Sequence, residues 1–326
     1  MLHDVGMKIQ AIALLVATCS TAAFAGDLGV ANRFNAFIFG SIASNGGHAQ
    51  GAMAAGSNWT GSGYDSLQSA LAATVGTTTN IGMYVAGSVS FTNGGSVNNS
   101  GNAYVNGNFG SSNPFNMNGG TLFYGGSLTG SVNGNKQNVG NTVDPNVFSS
   151  QQSYSQQQSA AIASLGGESI NTSGNNWSIN AALQSGPLKV YSLSAASLSS
   201  LATLDISNLL PTDTLVINVV GNSVGGFGVT LNSGLYNRIL WNASTATAFN
   251  ISDRALHGSL LAPNASIVQN QNIDGNLIAS SLVVNNSVEL HAGAGITFDG
   301  NVPVPEPISC SVLALGSLLL LKRRQR

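Results

Sequence analysis

Three histidines away from the chain ends, His48, His257 and His291, are the side chains best suited to bind a transition metal or to carry a proton near neutral pH. A zinc site needs three or four ligands at compatible spacing. His257 and His291 fall in blocks that can sit on neighbouring turns of a repeating fold, with Asp253 and Glu289 nearby in sequence. Spacing alone does not make these a site, and hydrogen-bonded turn corners are their plainer role. An enzyme acting on acidic polysaccharides needs clustered carboxylates, often with Arg or Lys, to hold a cation and abstract a proton. Here Asp253, Arg254, Asp274, Glu289 and Asp299 are spread out, and no Asp-Asp or Asp-x-Asp pair occurs. His-Glu-x-x-His and phosphate-loop patterns are also missing. The expectation is a protein that is not an enzyme and uses no metal or cofactor.

Binding is the better prospect. Asn, Ser, Thr and Tyr hydrogen-bond sugar hydroxyls, and aromatic rings stack on sugar faces. Trp59 and Trp177 are the candidate carbohydrate contacts, whereas Trp241, beside Ile239 and Leu240, reads as core. A polysaccharide-active β-helix enzyme is the alternative function. Ice binding is a further one, although Thr77-Thr78-Thr79 and Thr245-Ala246-Thr247 are isolated and no Thr-x-Thr ladder recurs.

The ends carry addresses rather than chemistry. Lys8, the apolar stretch Ile12-Ala13-Leu14-Leu15-Val16-Ala17, and Ala23-Phe24-Ala25 have the three zones of a secretory signal peptide, expected over residues 1–25, with Ala23 and Ala25 as the small residues at cleavage. Met7 is a second possible start. At the other end, Pro305-Glu306-Pro307 precedes an uncharged run of 14 residues, 308–321, and then Lys322-Arg323-Arg324-Gln325-Arg326. As a helix that run covers roughly 21 Å, a short membrane span whose basic end stays cytoplasmic. Both cysteines, Cys19 and Cys310, lie in these ends, so the body between them folds without disulfides. Residues 27–304 hold five Lys or Arg against ten Asp or Glu, a net charge near −5. That argues against nucleic acid as a partner.

These addresses require an exported body, and its pattern is mainly β. Short runs such as Met83-Tyr84-Val85, Tyr104-Val105 and Leu122-Phe123-Tyr124 alternate with Gly and Asn turns. Their spacing, roughly 18–20 residues, is the scale of one coil of a β-solenoid. A β-sandwich would also suit short strands. Asn and Gly at the corners favour the solenoid, because both tolerate left-handed backbone. Thr214 to Gly221 is almost entirely apolar and reads as a fully buried strand. Residues 145–165 break the pattern: they predict one amphipathic helix packed along the β body, with Val147, Tyr154, Ala161 and Leu165 on its inner face and Phe148 and Ile162 beside it. One domain is expected over residues 27–300.

Two resemblances follow from these residues. Pro305-Glu306-Pro307, the apolar run and the Arg-rich end with Arg323 and Arg324 resemble the PEP-CTERM sorting signal, over residues 302–326. Such tails imply an exosortase-type processing enzyme as partner, a transient inner-membrane anchor, and association with exopolysaccharide. The body resembles the choice-of-anchor A domain: Phe34-Asn35-Ala36-Phe37-Ile38-Phe39-Gly40 and Gly51-Ala52-Met53-Ala54-Ala55-Gly56 are similar to its N-terminal half. Trp241-Asn242, Leu261-Ala262-Pro263-Asn264-Ala265 and Asp274-Gly275-Asn276-Leu277-Ile278-Ala279 are similar to its C-terminal half. Gln50 stands where that family usually carries an acidic residue. The resemblance implies a β-helical, adhesive surface protein without established catalytic residues.

Overall fold

Short apolar runs separated by Gly and Asn stack into parallel strands, coil upon coil. The computed structural model describes residues 24–69, 71–199, 203–231 and 234–303. Each coil contributes strands to three faces. The first face is built from strands such as Ala36–Ile38, Met53–Ala55, Asn102–Val105, Leu277–Val284 and Ile239–Asn242. The second includes Ile42–Ser44, Trp59–Gly61 and Val89–Phe91, and the third His48–Ala49, Asp65–Ser66 and Glu289–His291. The expected solenoid is therefore present, and Asn supplies its corners as anticipated. Asn80, Asn99, Asn208 and Asn286 all adopt positive φ. Asparagine ladders run between coils, as at Asn93/Asn113 (3.1 Å) and Asn250/Asn270/Asn285 (3.1 Å each).

The order of the coils does not follow the chain. Strand Ala36–Ile38 pairs in parallel with Met53–Ala55 on one side and with Leu277–Val284 on the other. The first coil thus stacks on the last, and both described ends meet at the middle of the stack. Phe24–Gly26 pairs antiparallel with Val302–Pro303 there. From this seam the chain climbs to one end of the solenoid at Leu128–Asn138, crosses back through a helix, and coils towards the seam again from residue 168.

That helix, α1 (Asn146–Ser164), is the one expected from sequence. Asp144 Oδ1 accepts from the Asn146 amide (2.9 Å), and Gly166 ends it at φ +70°. Its 19 residues reach about 28 Å, the height of some six coils. Its inner face differs from the expectation. Phe148, Gln151, Ser155, Gln158, Ser159 and Ile162 are buried, while Leu165 is 41 % exposed. Polar residues face inward because they serve backbone groups that no strand satisfies. Gln151 accepts from Val30 N (2.9 Å) and donates to Leu28 O (3.0 Å). Gln158 donates to Asp27 O (3.1 Å) and Pro303 O (3.3 Å), holding both described ends against the body. A second, one-turn helix, Ala195–Leu198, was not expected; Ser194 caps it by accepting from Ser197 N (3.1 Å).

Two hydrophobic layers result. Inward side chains such as Trp59, Phe115, Trp241 and Leu290 fill the lumen. Outward side chains of the first face, Phe37, Tyr84, Leu240, Leu261 and Ile278 among them, are buried under α1 with Phe148 and Ile162. Strand Thr214–Val220 is buried as expected, apart from Val220.

Candidate functional site

The third face gathers the residues that sequence left scattered. In parallel strands, residues in register lie ~4.8 Å apart from coil to coil, within reach of hydrogen-bonding side chains. His48 is in register with Glu289 across the seam, and His257, Asp274 and His291 form a second row. Glu289 and His291 point outward together because Leu290 between them points into the lumen.

The side chains join in one file. His257 Nδ1 hydrogen-bonds Asp274 Oδ2, and His291 Nδ1 meets Asp274 Oδ1 at 2.5 Å. His291 Nε2 meets Glu289 Oε2 at 2.7 Å, and His48 Nε2 lies 3.3 Å from the same oxygen. Tyr236 stacks on His257 with ring centroids 4.6 Å apart and planes 16° from parallel. Past the seam the row continues through Asp65, whose Oδ1 accepts from Ser96 Oγ (2.7 Å), and through Asn116 and Asn133 (2.8 Å).

Electrostatics follow from this alternation. Burial alone would raise the Asp274 pKa, but the hydrogen bonds from His257 and His291 outweigh it and hold the carboxyl below its ordinary value. For His291 burial works downward, and its bonds to Glu289 and Asp274 overcome that, raising the imidazole pKa. With a carboxylate at each ring nitrogen, the imidazolium is the form of His291 that donates to both. The file's carboxylates engage both ring nitrogens of His291 and one each of His257 and His48, and among the described residues no group of three His, Cys, Asp or Glu is placed to hold a metal ion. Asp253, near His257 in sequence, accepts instead from Ser252 Oγ (3.2 Å).

The candidate sugar-stacking tryptophans are not on the surface. Trp59 has no exposure; it occupies an inward position, packs on Tyr64 and Phe91, and donates to Ser44 Oγ (3.0 Å). Trp177 is 3 % exposed and donates to Gly174 O (3.0 Å). Strand alternation aims both indoles into the core, so neither can stack on a sugar. Trp241 is core, as read from its neighbours. The string Gly221-Asn222-Ser223-Val224-Gly225 matches a nucleophile-elbow pattern. Ser223 instead opens strand Ser223–Leu231, in parallel register with Ala248, so no strand-to-helix elbow forms there. Ala23, Pro305, Glu306, Pro307, Arg323 and Arg324 lie outside the described residues, and Ala25 lies within strand Phe24–Gly26. Among the described residues no helix is long and apolar enough to cross a membrane.

A family model described as "Putative Ice-binding-like adhesive domain" matches residues 27–292. The chain belongs to this family. The match takes in strands of all three faces and α1, so it covers most of the described body. Two solved structures are similar at a low level. One is an ice-binding protein from the Antarctic ascomycete Antarctomyces psychrotrophicus, 15 % identical, covering 82 % of this chain and 98 % of that one, with a TM-score of 0.40. The other is an ice binding protein from an Antarctic biological consortium, 16 % identical, covering 87 % and 94 %, with a TM-score of 0.39. No curated protein matches.

Proposed function

We propose that this protein is an exported, non-enzymatic adhesin of the cell surface or extracellular matrix. In this reading the PEP-CTERM-like tail sorts it through an exosortase-type enzyme, and the body contacts extracellular polysaccharide. The observation that carries the reading is the second face. Its outward row, Thr129, Gly110, Ser90, Thr60, Ala43, Val283, Val268 and Asn250, is in register across the seam and at least partly exposed. Side chains at ~4.8 Å intervals along parallel strands make a continuous exposed strip, suited to contact with an extended partner and not to enclosing a substrate.

Beads coated with the purified mature protein test the reading. They are expected to attach to the host's exopolysaccharide, and a deletion strain is expected to lose floc or biofilm; beads that stay free and a strain that aggregates normally refute it. Shortening of the polysaccharide during the incubation would point to an enzyme instead. Sorting is tested by replacing Pro305 and Pro307 with Ala, which should leave uncleaved precursor in the membrane; unchanged processing refutes that part. The exposed strip also favours a second reading, ice binding, and inhibition of ice recrystallisation by the same protein decides it.

A further inference from the structure

Beside the His–carboxylate file, at the seam, lies a cavity of about 330 Å³ between residues 32–35, the segment 71–74, and residues 276 and 292. Pockets for organic ligands begin near ~300 Å³, so this one has room for a single sugar-sized group. Its floor is made of asparagines. Asn35, 3 % exposed, donates to Gly275 O and His291 O (2.9 Å each) and accepts from Gly51 N (3.1 Å). Asn276, 1 % exposed, donates to Asn32 O (3.1 Å) and Phe34 O (2.7 Å) and accepts from Phe298 N (2.7 Å). Both amides are fully engaged. Asn32 is not: its amide donates to Phe298 O (3.2 Å), but its Oδ1 is buried without a hydrogen-bond partner. That oxygen is closed off from solvent, so the floor gives the cavity its shape and the rim gives it its chemistry.

The rim adds charge of one sign. Arg33 stands exposed at the rim of the cavity, its Nη1 donating to Thr74 O (2.8 Å), and its guanidinium carries four further N–H donors. No carboxylate lines the cavity, and among the described residues none pairs with Arg33. Leu71, 40 % exposed, offers an apolar patch on the same rim.

We infer that this cavity binds a carboxylate-bearing sugar, a uronate. The guanidinium takes the carboxylate, and Leu71 packs against the C–H face. The inference rests on the adhesive reading and names the saccharide class it recognises.

Calorimetric titration of the mature protein with oligogalacturonate, neutral oligogalactose and free galacturonate tests it. Oligogalacturonate is expected to bind, the neutral oligomer at least tenfold more weakly, and Arg33→Gln to lose at least tenfold towards the uronate while its thermal unfolding is unchanged. Arg33→Lys should recover part of the loss, because a point charge pairs with carboxylate less well than a planar fork. Binding of free galacturonate with the same Arg33 dependence assigns the cavity to one terminal or branch residue; binding of the oligomer alone assigns it to a polymer segment. Equal binding of the neutral oligomer, an unaffected Arg33→Gln variant, or no uronate binding overturns the inference. The bead assay separates the two failures. If wild-type beads do not attach, the adhesive reading falls; if wild-type and Arg33→Gln beads attach equally, only the uronate site falls.

Discussion

Replacing Asn242 with Leu tests how the helix is held to the solenoid. Asn242 is 1 % exposed and sits between α1 and the strand below it. Its Oδ1 accepts from Ser159 Oγ (2.5 Å), and its Nδ2 donates to Ser159 O (3.0 Å) and Asn218 Oδ1 (2.8 Å). Asn218 in turn donates to Ile162 O (3.2 Å), which also accepts from Leu165 N (3.2 Å), and to Gly166 O (2.7 Å) just past the end of α1. Leu has the same branching and heavy-atom number as Asn and is somewhat bulkier, so the substitution removes polar partners without opening a cavity. The Ser159 hydroxyl can turn to a carbonyl of its own helix. Asn218 Oδ1 has no such substitute, and an orphaned buried acceptor costs about 1–3 kcal/mol, with the lost bonds adding about 1 kcal/mol. The expected loss is therefore about 2–4 kcal/mol, read as a lower guanidinium midpoint at unchanged slope. Hydrogen exchange should rise first in residues 159–166. Replacing Asn218 as well should cost less than the sum of the two single changes by about 1 kcal/mol, because the shared bond is lost only once. A loss under about 1 kcal/mol with unaltered exchange would refute the clasp.

The His–carboxylate file predicts a two-sided pH dependence. His291 has a raised folded pKa, so its contribution is complete below the ordinary 6.5 and is lost as pH rises through the folded value; Asp274, with a lowered one, contributes above 3.8 and loses that as pH falls. Urea midpoints should peak between these limits, and His291→Gln should flatten the alkaline limb, whereas an identical limb would exclude His291 as its cause. Phe148 packs on Phe37 at 4.9 Å and Tyr84 at 5.9 Å, so Phe148→Ala should cost about 3–5 kcal/mol by denaturant titration and free the N-terminal half of α1 for hydrogen exchange. A Cβ at Gly56 would sit 2.1 Å from Phe39 O and 2.9 Å from Phe148 Cδ1, so Gly56→Ala should lower stability by about 1–3 kcal/mol, and a neutral melting curve would contradict that packing.

Sequence determined the kind of fold. Apolar runs at coil spacing, with Asn and Gly between them, specify stacked parallel strands, because each coil can bury its inward residues only against neighbours. It also placed α1 between an Asp-Pro start and a Gly-Gly stop, and it put Trp241 in the core. The stacking order was beyond it: the join of Ala36–Ile38 to Leu277–Val284 lies some 240 residues apart in sequence and leaves no local signal. Once that join forms, His48 meets Glu289, the scattered acids become partners of three histidines, and the cavity under Arg33 closes around Asn32. Trp59 and Trp177 show the same limit on a smaller scale, since their types suit sugar stacking and only the register decides that they point inward. The inner face of α1 did leave a trace, in the Gln and Ser of the helix and in Asn218 and Asn242 within apolar strands. Polar residues at buried positions are tolerated only where they answer each other, and the tertiary fold alone pairs them.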